Sequence, residues 1–208
     1  MKLRPLLLSA AIAALAGCAQ KDTIHTVRIS VADQKMVVLR KGTPIATYDV
    51  STSKFGIGDQ RGSYRTPLGK MEVAKKIGDG QPVGMKFSSR RPTGEIVPID
   101  APGRDPIVTR ILWLKGLESQ NARAFDRGIY IHGTAEERNI GRPMSYGCIR
   151  MRSRDVISLY NTIGIGARVE ITPVSIAAPT VAQQPPATPS PAQRTKPALR
   201  PVPRSATL

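Results

Sequence analysis

The sequence predicts a mostly β domain with one short helix, and three observations carry that prediction. Eighteen glycines and eighteen prolines favour short strands and turns over long helices. Apolar residues recur at every second position in several short stretches, as in strands with one buried face. Only the stretch after Ser153 spaces its apolar residues as a helix does, with Val156, Ile157, Leu159, Tyr160 and Ile163 on one face. A hydrophobic content of 40% supports an ordinary core, and 208 residues are enough for one domain with extensions.

The N-terminus reads as a processing segment. Lys2 and Arg4 precede an apolar run over residues 5–16, too short for a membrane span and flanked like a signal peptide. Leu15-Ala16-Gly17-Cys18 resembles the bacterial lipobox, whose cysteine is acylated and becomes the new N-terminus. Residues 1–17 are thus expected to be a lipoprotein signal and Cys18 a lipid anchor, with residues 18–25 forming a polar tether. The alternative is an ordinary signal peptide with a chance cysteine. Ala19 stands after the cysteine where Asp would favour inner-membrane retention. The expected location is therefore periplasmic, lipid-anchored to the outer membrane of a Gram-negative cell.

Residues 26–32 alternate through Val27, Ile29 and Val31, and residues 36–39 follow a turn at Asp33-Gln34, which predicts a hairpin. Residues 44–52 read as a third strand. His25 has no other ligand type beside it and reads as a solvated residue. Residues 53–67 are a polar loop. Its Gly56-Ile57-Gly58 lacks the spacing and the following helix of a phosphate loop, which excludes nucleotide binding. Thr66-Pro67-Leu68-Gly69 is a turn signature, since proline fixes φ and glycine accepts positive φ. Residues 70–76 then alternate as a strand. The stretch 77–110 offers little pattern beyond a strand expected at 95–100, and the rest reads as loop overhanging the site. Residues 110–114 form a strand with Trp113 expected in the core. Ser153 is the expected helix N-cap, Gly164 its stop, and residues 167–172 the last strand. From residue 174 the composition turns to Ala, Pro, Gln, Thr and basic residues, as in a disordered tail over 174–208.

The chemistry concentrates in GIYIHGTAEERNIGRPMSYGCIRM, residues 128–151. A lone cysteine is more often a small buried hydrophobe than a nucleophile. Here, however, Cys148 lies sixteen residues after His132, across a polar loop that can fold the thiol back to the imidazole. Thiol catalysis needs a base to form the thiolate and an acid for the leaving amine, and imidazole serves as both near neutral pH. Gly133 and Gly147 allow backbone N–H groups close to a substrate carbonyl, as an oxyanion hole requires. Arg150 is a nearby cation expected to depress the thiol pKa. Glu136, Glu137 and Arg138 read as a solvated face of the loop. If Cys18 carries lipid, Cys148 has no disulfide partner, which supports a used thiol.

Those residues resemble the signature of the L,D-transpeptidase (YkuD-domain) family: His132-Gly133-Thr134, then Ser145-Tyr146-Gly147-Cys148-Ile149-Arg150. STSKFGIGD, SYRTPLGKMEVAKKIG and RILWLKGLE add to the likeness, which covers residues 26–173. The family usually has a second histidine where this chain has Tyr146. The resemblance implies a mostly β sandwich or barrel closing around the site, with a short helix after the nucleophile. It implies Cys148 as nucleophile and His132 as general base and acid. Gly133, Ser145, Tyr146, Gly147 and Arg150 are expected at the oxyanion and substrate sites, with Arg150 either pairing with a substrate carboxylate or supporting the loop through a structural salt bridge. The expected reaction forms a Cys thioester on a peptidoglycan tetrapeptide stem, releases D-Ala and passes the acyl group to an amine. Water as acceptor would make a hydrolase or L,D-carboxypeptidase, and an inert thiol would leave a peptidoglycan-binding lipoprotein.

No cofactor is expected, and one thiol with two distant histidines makes no zinc site. A formal net charge of +16 fits an anionic partner. No nucleic-acid motif is present, so the expected partners are peptidoglycan stem peptides and, through Cys18, a membrane. The sequence does not name the acceptor, whether another stem or an amine-bearing protein.

Overall fold

The computed structural model describes residues 20–103 and 105–176. The expected signal peptide, the lipidation site Cys18 and the tail beyond residue 176 lie outside the described residues. Within them, ten strands join one sheet: β1 (His25–Ser30), β2 (Lys35–Arg40), β3 (Thr43–Asp49), β4 (Gly69–Ile77), β5 (Met85–Ser88), β6 (Arg91–Ile96), β7 (Ile107–Gly116), β8 (Tyr130–Thr134), β9 (Ile149–Met151) and β10 (Arg168–Thr172). The single α-helix among the described residues, α1 (Ser153–Thr162), follows β9 directly. The strand order is β3-β2-β1-β10-β4-β7-β5-β6, and β8 bridges β7 and β9 off this path. The mostly β fold with one helix after Cys148 is the one expected.

Side-chain alternation builds the core. Val27 and Ile29 of β1 are fully buried while Arg28 between them is exposed, and β4 buries Met71 and Val73 in the same way. On β7, Leu112 and Leu114 enter the main cluster with Ile131, Ile149 and Met151. Ile111 and Trp113, on the opposite face, pack instead with Met85, Phe87, Tyr130 and Cys148. Helix α1 closes the main core with Val156, Leu159 and Tyr160. Burying one such side chain contributes about 1.5–3 kcal/mol.

The strand expected at 95–100 lies instead at β6, hairpinned with β5. Every residue of β6 is exposed, so no buried face marks it in the sequence. Strand β3 stops at Asp49 rather than 52, because Val50 and Thr52 leave the ladder to bond Gln34, through its backbone carbonyl and its side-chain carbonyl. The helix N-cap is Arg152, not Ser153. Ser153 is buried one position inside, its hydroxyl paired with Thr109 Oγ1 at 2.8 Å. Its N–H donates to Glu137 at 2.7 Å, so a residue expected on a solvated face satisfies the first turn.

The tether and the tail also shorten. Asp22 accepts the N–H groups of His25 and Gly164 and meets His25 Nδ1 at 2.8 Å. The two side chains are only 9% and 12% exposed, so His25 is not the solvated residue expected. At the other end, Ser175 Oγ and the Ile176 N–H donate to the Asp33 carboxylate, docking the first residues of the expected tail.

Candidate active site

Strands β8 and β9 run parallel, pairing Ile131 with Ile149, His132 with Arg150, and Gly133 with Met151. Parallel neighbours need a long crossover, and here residues 135–148 supply it as a loop. The loop is pinned to the 51–54 segment: Ser145 N–H donates to Thr52 O at 2.9 Å and Lys54 N–H to Ser145 O at 3.1 Å. Thr66 Oγ1 donates to Gly147 O at 3.0 Å, and Gly147 takes φ +117°, which glycine accommodates without strain. Cys148 is thereby delivered to the residue just before β9, and His132 lies in the middle of β8. Both line a cleft of about 790 Å³.

His132 is 4% exposed, and its Nδ1 lies 2.8 Å from the Gly133 carbonyl oxygen. A carbonyl can only accept, so Nδ1 carries the proton and Nε2 is left as the basic nitrogen. Burial lowers the imidazole pKa from 6.5 to about 4; the Gly133 hydrogen bond and Asp105 oppose this, and Arg150 adds to it. Cys148 is partly exposed, its thiol donating to Gly128 O at 3.4 Å. Burial raises the thiol pKa, against a hydrogen bond from the Tyr130 backbone and the Arg150 and Arg127 cations. Arg150 does pull the thiol pKa down, as expected, but burial outweighs it and the net shift is upward. At neutral pH the site therefore rests as neutral thiol and neutral imidazole.

Arg150 is a buried hub rather than an open cation. Its side chain is 8% exposed, with Nε 3.0 Å from Asp105 Oδ2 and Nη1 3.4 Å from Glu136 Oε2. Nη1 also donates to Met144 O at 3.2 Å, so the arginine braces the crossover. Asp105, in turn, accepts from Thr134 Oγ1 at 2.7 Å and from the Ala135 N–H at 3.1 Å, fixing the end of β8.

The remaining expected site residues separate by role. Ser145 is fully buried; its hydroxyl donates to Cys148 O at 2.6 Å and accepts the Gly147 N–H at 3.2 Å. The Gly147 amide expected at an oxyanion is therefore occupied by Ser145. The Cys148 amide makes no hydrogen bond to a described residue. Gly133 is buried against β7 and α1, where a Cβ would stand 2.7 Å from Val108 O. Its missing side chain serves packing, and its carbonyl orients His132. Tyr146 is 54% exposed and packs with Phe55 and Tyr64 at the mouth.

The sequence reading missed Asp105, Lys54 and Tyr64, and it placed Glu136 in a solvated face. Asp105 sits in the stretch without pattern and reaches the site only through tertiary structure. The signal for Glu136 was Arg150, fourteen residues on at the far end of the same crossover, a cation that burial obliges to find carboxylates.

Residues 24–171 match the family described as YkuD: L,D-transpeptidase catalytic domain. YqjB of Bacillus subtilis (strain 168), named for the same activity, is 47% identical over 53 residues, covering 25% of this chain and 30% of YqjB. The Escherichia coli (strain K12) protein named "Probable L,D-transpeptidase YbiS" is 29% identical over 165 residues, covering 76% of this chain and 48% of YbiS. The chain thus spans less than half the length of both. An L,D-transpeptidase structure from Mycobacterium smegmatis aligns with a TM-score of 0.48 at 12% identity, over 72% of this chain and 58% of that one. The match of the family over residues 24–171 contains His132 in β8 and Cys148 just before β9, and the chain belongs to the YkuD family of L,D-transpeptidase catalytic domains.

Proposed function

We propose that this chain is a cysteine-dependent L,D-transpeptidase acting on peptidoglycan tetrapeptide stems. The observation that carries the reading is that His132, its Nδ1 2.8 Å from the Gly133 carbonyl oxygen, lines the same cleft as the Cys148 thiol.

In the proposed reaction Nε2 of His132 takes the thiol proton as Sγ bonds to the carbonyl carbon joining the third residue to D-Ala. Because both groups are neutral at rest, proton transfer accompanies attack rather than preceding it. The Cys148 N–H is the donor placed for the oxyanion. Collapse breaks the C–N bond, the imidazolium protonates the departing D-Ala amine, and a thioester remains. An amine then attacks the thioester, gives its proton to Nε2, and Sγ leaves and regains a proton. Ser145, Arg150, Asp105 and Glu136 hold this geometry. The proposal extends to export and to acylation of Cys18, which would place a basic domain against the anionic wall at the outer membrane.

The test is mass spectrometry of muropeptides incubated with the protein from residue 19 onward, beside Cys148→Ala. New cross-links made through the third residue, lost in the variant, support the transpeptidase. Shortened or uncoupled stems would assign water as acceptor, and unchanged muropeptides would refute the reading.

A further inference from the structure

We infer that Lys54, held in place by Tyr146, is the receptor for a carboxylate of the acyl-donor peptide; the inference rests on the function proposed above. Lys54 is far from the motif in sequence but tied to it by backbone: its N–H donates to Ser145 O at 3.1 Å, and Ser53 bridges Ser145. Its Nζ donates to Tyr146 Oη at 3.1 Å. The same ammonium lies 4.5 Å from the Tyr146 ring centroid and 5.3 Å from that of Phe55. Phe55, Tyr64 and Tyr146 pack pairwise, with centroids 5.9, 5.6 and 5.9 Å apart. A long flexible side chain is thereby fixed before any ligand arrives, which removes much of the entropy cost of using it.

What Lys54 lacks is a counter-charge. An ammonium has three N–H donors, and one of them is on Tyr146. Among the described residues no carboxylate lies within ion-pair distance of it. Arg150, another cation lining the cleft, is buried and already shared between Asp105 and Glu136. Those carboxylates are in turn engaged by Arg150, so they leave the Lys54 charge uncompensated. Lys54 lines the cleft together with His132 and Cys148. A pre-fixed, uncompensated cation beside the nucleophile is complementary to an anionic substrate, and a tetrapeptide stem carries free carboxylates. This also gives Tyr146 a purpose. Where the resembled family usually has histidine, the phenol holds the ammonium rather than relaying a proton.

The test measures kcat and KM for D-Ala release from tetrapeptide donors that differ only by amidation of one carboxyl group at a time. The wild-type chain is expected to prefer the free acid at one position by roughly five- to tenfold in KM, the range for a charge-assisted contact at a partly exposed site. Lys54→Gln should raise KM for that free acid by the same factor, leave kcat nearly unchanged, and abolish the distinction from the amide. Lys54→Arg should keep most of the preference and Tyr146→Phe should lose part of it. Lys54 is exposed, so the variants are expected to keep the wild-type Tm. An equal loss on acid and amide donors would assign Lys54 a structural role and overturn the inference, as would wild-type indifference to every amidation. If the wild-type chain released no D-Ala from any stem, the proposed function would fall, and this inference with it.

Discussion

Acid should destabilise this fold through one histidine. His132 is buried, and its pKa falls from 6.5 to about 4 chiefly through desolvation. Between those values the unfolded chain binds a proton that the folded chain refuses. Stability is therefore fully present above about pH 6.5 and declines as pH falls toward 4, below which the loss is complete. At 1.36 kcal/mol per pH unit the whole effect amounts to about 3 kcal/mol, with about 2.5 kcal/mol of it reached by pH 4.5. His132→Gln keeps a donor for the Gly133 carbonyl and removes the titration. Urea unfolding of both proteins at pH 7, 5.5 and 4.5 isolates the difference. Stopping at pH 4.5 keeps clear of Asp22, Asp49 and Asp33, whose carboxyls are held below their ordinary value of 3.8 by hydrogen bonds and, for Asp49, lysine and arginine. The wild type should lose about 2.5 kcal/mol more than the variant over this range. Equal losses in the two proteins would show that the imidazole titrates normally, and the neutral resting pair would have to be abandoned.

Two further outcomes test the scaffold of the site. Arg150→Met leaves the Asp105 carboxylate, 5% exposed, without its cation, and should cost about 3–5 kcal/mol in urea unfolding. Pairing it with Asp105→Asn should restore much of that loss, and strictly additive effects would contradict the buried ion pair. Gly133→Ala places a Cβ 2.7 Å from Val108 O and 3.2 Å from Val156 Cγ1, and should cost about 1–3 kcal/mol by thermal unfolding. A neutral result would return Gly133 to a role in substrate approach.

Where a strand buries one face, its alternation was legible: β1, β4 and β7 announce themselves through Val27, Ile29, Met71, Val73, Leu112 and Leu114. The exposed β6 left no such trace, because solvent does not care which residues face it. That His132 and Cys148 would share one cleft was likewise legible, since both flank one loop. Their protonation states were not. The sequence places Arg150 two residues from the thiol, but it does not show that burial outweighs that charge or that Asp105, forty-five residues before Arg150, pairs with it. Capping by Glu137, the docking of Asp22 on Gly164 and the seating of Lys54 on Tyr146 are also contacts between distant residues.

By itself the sequence determined the β architecture, the helix after Cys148 and the proposal of His132 and Cys148 as the reacting pair, because periodicity and side-chain chemistry are local properties. Only the tertiary structure decided the histidine tautomer, the direction of the His132 and Cys148 pKa shifts, and the Lys54 ammonium seated on Tyr146 without a carboxylate partner among the described residues. Desolvation, ion pairing and hydrogen-bond competition are settled by which distant groups the fold brings within a few ångströms.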